Sequence, residues 1–202
     1  MRSTGQDRRF LFLQGPHGPY FRQLGRMLRA AGAQVWRVGF NGGDRWFWPD
    51  AGYIRFAGRP EDWPQAIRDL IRDHGITDIV LYGDTRPIHA TAIAAAHEAG
   101  LRVHVFEEGY LRPYWITYER GGSNGHSRLM DLSVAQMQAA LAQSDLDIPD
   151  APARWGDMRQ HMFWGAVYHW FVWTGMFVYR NFKPHRSLSV AQEFLLYARR
   201  FL

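Results

Sequence analysis

Apolar residues in this chain fall first into short unbroken runs and then into spaced sets, and the two kinds alternate. Phe10-Leu-Phe-Leu13 is continuous and apolar, the mark of a strand buried on both faces. Gln14-Gly-Pro-His-Gly-Pro19 follows as a tight loop. Tyr20 to Ala31 then places Phe21, Leu24, Leu28 and Ala31 at helical spacing, with Gly32 as the stop. Gln34 to Phe40 is the second predicted strand, ending in Asn41-Gly-Gly-Asp44. Pro64 to His74 reads as a helix stopped by Gly75, and Thr77 to Tyr82 as a strand running into Gly83-Asp-Thr-Arg-Pro87. Ile88 to Ala99 is an alanine-rich helix stopped by Gly100, and Arg102 to Phe106 is a fourth strand whose loop carries Glu107-Glu-Gly-Tyr110. Strands alternating with helices at this spacing predict an α/β fold, a doubly wound and mainly parallel Rossmann-like sheet. In such sheets ligands sit beyond the carboxyl ends of the strands.

The pattern changes after Tyr118. Gly121 to Ser127 is a glycine-rich loop, Ser133 to Gln143 reads as a helix, and Asp145 to Arg154 as a linker. Met162 to Val178 is aromatic and apolar, at 17 residues short for a membrane span, and reads as a core or interfacial helix. Residues 1–130 are therefore expected to form a Rossmann-like domain and 131–202 a linker and helical segment.

Charge adds one feature. Up to Asp150 there are 17 Arg against 17 Asp plus Glu; after it, seven Arg or Lys face only Asp157 and Glu193. The net charge of +5 thus sits in the last quarter, which suits an anionic partner or, equally, a solvated helix surface. Trp164, Tyr168, Trp170, Trp173 and Tyr179, flanked by Arg159, Arg180, Lys183 and Arg186, suggest docking on a lipid surface. The rival reading is a helix packed on the domain. The absence of cysteine excludes disulfides, thiolate metal sites and thiol nucleophiles. The polar start and the short Phe10–Leu13 run do not read as a signal peptide, so a cytoplasmic location is expected.

Five loops carry candidate chemistry. Gln14, Gly15 and His17 lie between strand and helix, where unpaired N–H groups favour an anion. Asn41 and Asp44 at the second strand end suit sugar hydroxyls. Asp84 could orient a base and Arg86 hold a carboxylate, unless the two form a surface pair. Glu107 and Glu108 are adjacent carboxylates after a buried strand; neighbours on an extended chain face opposite ways, so one points inward and one toward the cleft. Asn124 and His126 lie in the glycine loop, His126 as a base or phosphate ligand. Neither HExxH nor a His-Cys-Cys pattern occurs, so no metal and no cofactor are expected.

Taken together, FLFLQGPHGPYF, VGFNGGDRWFWP, GRPEDWP, ITDIVLYGDTRPIH and VHVFEEGYLRPYWITYERGGSNGHS resemble the capsular polysaccharide biosynthesis proteins, the bacterial β-Kdo (3-deoxy-manno-octulosonate) transferases. The resemblance runs over nearly all of residues 10–202 and is strongest to the single-module type. It implies the N-terminal half of a GT-B-like glycosyltransferase, with CMP-Kdo as donor, a phosphatidylglycerol-type phospholipid as acceptor and retention through a carboxylate nucleophile. Glu108 matches the Asp of the Glu-Asp-Gly-Phe found in double-module relatives. Arg86 or Arg112 would hold the sugar's own carboxylate, and His17 would contact the acceptor or a phosphate. The resemblance also implies a C-terminal domain beyond this chain, without which turnover is not expected, and a peripheral place on the inner membrane. Partners would include other capsule assembly and export proteins, and no nucleic acid. Two other readings stand beside it: another nucleotide-sugar transferase, and a non-catalytic capsule assembly or export module.

Overall fold

The computed structural model describes residues 7–109, 115–144 and 158–183, with Gln192 and Leu195. Arg112, Arg186 and the expected linker at 145–154 lie outside the described residues. Six strands form one sheet: β1 (Arg9–Phe12), β2 (Gln34–Gly39), β3 (Tyr53–Arg55), β4 (Asp78–Tyr82), β5 (Arg102–Glu108) and β6 (Ile116–Arg120). Their order is β3-β2-β1-β4-β5-β6. All neighbours pair in parallel except β5 and β6, which run antiparallel. From β1 the chain winds outward through β2 to β3, then returns to lay β4 against the other side of β1. The strand order therefore reverses between β1 and β4, the topological switch point at which doubly wound sheets bind ligands.

The strand runs are apolar on both faces because both faces are covered. Leu11, Val38, Ile79, Leu81, Val103 and Val105 pack with Ile67 and Ile71 of α3 (Trp63–His74) and Ala92, Ala95 and Ala96 of α4 (Pro87–Glu98). Phe10, Phe12, Val35 and Val80 face the other way, against Phe21 of α1 (Tyr20–Ala30) and Trp48. The alanines of α4 allow it to lie close on the sheet. Pro87 opens α4 at a position where a missing N–H costs nothing, and Gly75 ends α3 in the left-handed region at φ 57°.

Two carboxylates fasten the frame. Asp78, buried at the start of β4, accepts from Arg8, Thr77 and His104, and His104 in turn meets the Tyr118 hydroxyl at 2.7 Å, tying β4, β5 and β6 together. Burial pushes the Asp78 carboxyl up, but the bonds from His104, Arg8 and Thr77 outweigh it and hold it well below the usual range. Arg22 and Arg26, one turn apart on α1, both reach Asp50 at 3.0 Å. Their hydrogen bonds lower its pKa from 3.8 to about 2. A depressed folded pKa gives stability that is present above the unfolded value and lost as pH falls through the folded one. The melting temperature of the wild type should therefore fall toward that of Asp50→Asn as pH drops from about 5 to 2. A gap between the two that stays constant across this range would contradict the assignment.

The segment after β6 holds α5 (Val134–Ala142), capped by a reciprocal Ser133–Gln136 box, and α6 (Met158–Thr174). Between β2 and β3 lies the short α2 (Gly42–Trp46). One face of α6 packs on α2: Phe171 stacks on Trp46 at 3.9 Å, and a Cβ on Gly42 would stand 2.0 Å from the Phe171 carbonyl oxygen. The chain then returns to the sheet edge, where Tyr179 and Tyr53 share a 2.6 Å hydroxyl contact and Asn181 donates to the Ala57 carbonyl at 2.9 Å. The other face of α6 is exposed at Trp170 and Trp173. The packed face agrees with the reading of a helix lying on the domain. Tyr168 and Tyr179, expected among the surface rings, are buried. Among the described residues no helix is long and apolar enough to cross a membrane.

Candidate functional site

Beyond the carboxyl ends of β1, β2 and β4, polar side chains from four segments converge in a buried cluster. Asn41 caps α2 by accepting the Asp44 N–H at 2.9 Å, which turns the Asp44 side chain back under the end of β2. There the carboxylate accepts from the Phe40 N–H at 3.0 Å and from the Arg37 guanidinium at 3.2 Å. Gln14, immediately after β1, donates to the Tyr168 hydroxyl at 3.0 Å and to Asp44 at 3.4 Å, and its carbonyl accepts from Arg86 at 2.8 Å. Tyr168 of α6 completes the set: its oxygen receives Asn41 at 2.7 Å and lies 3.5 Å from Asp44. Burial drives the Asp44 carboxyl up, while Arg37, the Phe40 N–H, Arg86 and Gln14 pull it back. Burial and the adjacent Asp44 charge likewise drive the Tyr168 phenol far above its usual range, so it stays a neutral donor.

Two members of the cluster, Gln14 and Arg86, also line a slot of about 280 Å³ at the switch point. Phe56, Trp63 and Phe182 wall it, and Lys183 adds a second cation. Arg86 stands at the N-terminus of α4 with extended backbone, which directs its side chain toward β1.

A second cluster lies past β4 and β5. Asp84 is buried, and its Oδ2 accepts the Ser123 N–H at 3.0 Å and lies 3.0 Å from His126 Nδ1. The Ser123 hydroxyl donates to Glu107 at 2.9 Å, and the Asn124 amide donates to the other Glu107 oxygen. Ser123 thereby joins the two carboxylates. His126 is anchored at Nδ1 while most of its ring is in solvent. Glu107 and Glu108 both lie within β5, facing opposite ways: Glu107 is half-buried against Ser123 and Asn124, whereas Glu108 is exposed at the end of the strand.

Two expected roles change on these contacts. Gly15 is required for packing, since a Cβ there would stand 2.5 Å from the Phe21 ring. His17 is turned onto α6, stacked on Tyr168 at 4.6 Å and edge-on to His169 at 5.4 Å. Asp84 and Arg86 do not serve mainly as a surface pair: one reaches Ser123 and His126, the other Gln14. Sequence reasoning missed Arg37, Ser123 and Tyr168 as site residues. Arg37 alone had a signal, a lone cation inside an apolar strand. Among the described residues no three His, Asp or Glu side chains come together in a way that would hold a metal ion.

A family model for capsule polysaccharide biosynthesis proteins matches residues 77–200, from β4 through both carboxylate motifs to the tail. The chain belongs to this family. Among its capsule-family relatives, the capsule polysaccharide export protein KpsS of Escherichia coli is 41% identical over 122 residues, 60% of this chain and 31% of that protein. The capsule polysaccharide modification protein LipB of Neisseria meningitidis, in serogroups A and B, is 40% identical over 144 residues, 69% of this chain and 34% of that protein. The chain thus spans about a third of the length of the relatives it matches. A solved structure of PaaA aligns over 90% of this chain and 67% of that one, with a TM-score of 0.40 and 12% identity. The fold assignment rests on the strand order above, not on that likeness.

Proposed function

We propose that this capsule-family chain carries the first Rossmann-like domain of a glycosyltransferase that moves β-Kdo from CMP-Kdo to a phosphatidylglycerol-type lipid with retention. The observation that carries the reading is the slot at the switch point, lined by Arg86 and Lys183; the Glu107 and Glu108 carboxylates end β5, the strand beside β4. Kdo bears a carboxylate on its anomeric carbon. A guanidinium is suited to hold it, and Arg86 is held in place for that by Gln14. Bond cleavage leaves positive charge at the anomeric carbon, which a carboxylate stabilises or attacks. Glu108 is assigned the attack: its oxygen bonds to the anomeric carbon as CMP departs with the bonding pair. The acceptor hydroxyl then displaces Glu108, giving its proton to a base. His126 suits that step, because Asp84 holds Nδ1 and leaves Nε2 outward.

The matched segment is about a third of the relatives' length, so the activity is assigned to the whole protein, with a second Rossmann-like domain supplying most CMP contacts. The export function named for the KpsS relative favours a second reading, a non-catalytic module of capsule export. Incubating the whole protein with a lipid acceptor and either CMP-Kdo or UDP-sugars separates the two readings. A mass increase of one Kdo on the lipid, with CMP-Kdo alone, is expected. Transfer from a UDP-sugar, or no transfer from any donor, would reject the assignment.

A further inference from the structure

The glycine loop after β6 carries one buried side chain that the transfer step does not use. Ser123 is only 1% exposed, whereas Asn124, Gly125 and His126 beside it face solvent. Its three polar groups are all engaged. The Ser123 carbonyl accepts the His126 N–H at 2.9 Å, which closes the short turn Asn124–His126. The Ser123 N–H donates at 3.0 Å to Asp84 Oδ2, the same oxygen that His126 Nδ1 reaches at 3.0 Å. The Ser123 hydroxyl donates to Glu107 Oε1 at 2.9 Å, and the Asn124 amide takes Glu107 Oε2. Gly122 makes room for the turn, since a Cβ there would stand 2.5 Å from the His126 carbonyl oxygen. Ser123 therefore ties one turn to two strand ends, to Asp84 just past β4 and to Glu107 within β5.

The His126 ring depends on that support. Its side chain is 69% exposed, and Asp84 anchors it at Nδ1. An ionised carboxylate only accepts, so Nδ1 carries the proton and Nε2 presents its lone pair. An exposed ring anchored at one atom is placed only as well as the backbone that carries it. A displacement of about 1 Å can cost about a hundredfold in rate. We infer that Ser123 is a positioning residue: its hydroxyl fastens the Asn124–His126 turn to Glu107, and the fastened turn keeps His126 on Asp84 with Nε2 outward. Glu107, whose two oxygens take Ser123 and Asn124, then holds the loop and does not attack. What His126 does rests on the transferase reading; where it is held does not.

Ser123→Ala in the whole protein tests it. The substitution adds no bulk, and half-buried Glu107 can take water in place of the lost donor, so the thermal midpoint should change little. The kcat for Kdo transfer should fall about tenfold or more, with KM for CMP-Kdo within about twofold, because a misplaced base slows the chemical step and removes no donor contact. Asn124→Gly removes the second tie to Glu107 at a position whose φ of 49° glycine adopts freely, and should act in the same direction. His126→Ala should cost about a hundredfold. Ser123→Ala/His126→Ala should match His126→Ala within about twofold, since the serine acts through the histidine. Losses that multiply in the double variant, or wild-type kcat in both Ser123→Ala and Asn124→Gly, would overturn the inference. Nitrogen-15 NMR of the histidine-labelled whole protein reads the same hold without turnover, at about pH 8 where imidazole is ordinarily neutral. The signal that His126→Ala removes should show a protonated Nδ1 and a bare Nε2, and Ser123→Ala should move both toward a mixture of tautomers. Unchanged ring signals in Ser123→Ala would reject the hold on His126. The expected change in ring signals, in a protein whose wild type transfers no Kdo, would reject the transferase reading and leave that hold standing.

Discussion

Asp44→Ala is expected to destabilise the fold by about 3–5 kcal/mol, the usual cost of stripping one partner from a buried ion pair. The Arg37 guanidinium is only 1% exposed, in the middle of β2, and Asp44 is its ion-pair partner at 3.2 Å. Alanine would leave that cation buried without a counter-charge. It would also remove the acceptor for the Phe40 N–H and for Gln14, and the oxygen 3.5 Å from the Tyr168 hydroxyl. Gln14 and Tyr168 join β1 to α6, so the loss should loosen the helix from the sheet. Tyr168→Phe removes one hydroxyl with two donors into it and should cost less, about 1–3 kcal/mol. Urea denaturation followed by tryptophan fluorescence measures both. An Asp44→Ala cost below about 1 kcal/mol would mean that the cluster does not hold α6 to the domain.

Glu108→Gln in the whole protein should lower Kdo transfer about a hundredfold or more, while leaving the thermal midpoint unchanged. Glutamine keeps the size of the side chain and removes the charge that the proposed attack on the anomeric carbon requires. The exposure of Glu108 at the strand end makes the substitution structurally mild. Glu107→Gln is the informative companion. Glu107 accepts from Ser123 and Asn124, so its replacement should disturb the glycine loop and lower stability as well as rate. Transfer by Glu108→Gln above roughly a tenth of the wild-type rate would remove Glu108 from the nucleophile role.

The central strands were legible because a parallel sheet covered on both faces demands unbroken apolar runs, and Phe10–Leu13 and Ile79–Tyr82 are such runs. What stayed hidden was short or at the edge. The helix Gly42–Trp46 begins with two glycines, and β3 has three residues, so neither supports a period. Strand β6 alternates exposed and half-buried residues without a strong apolar face, and its pairing carries β5 on to Glu108, two residues past the predicted end. The two glutamates therefore sit in the strand, where their opposite orientations are fixed by the ladder.

The site was half legible for a related reason. Strand-end loops announce themselves through glycine and polar residues, and Gln14, Asn41, Asp44 and Arg86 do converge. Ser123 likewise links Asp84 to Glu107, Asn124 bonds Glu107 directly, and His126 meets Asp84. Tyr168 could not be found from the sequence: the apolar and polar residues of α6 are not segregated to separate faces, so nothing in its pattern says which residue faces the domain.

The most direct test of the central claim is the linkage formed by the whole protein from CMP-β-Kdo on a phosphatidylglycerol-type lipid, read by NMR of the isolated glycolipid. The account predicts a single added Kdo in β linkage. An α-linked product, or wild-type protein that leaves the lipid unmodified while CMP-Kdo remains intact, would contradict it.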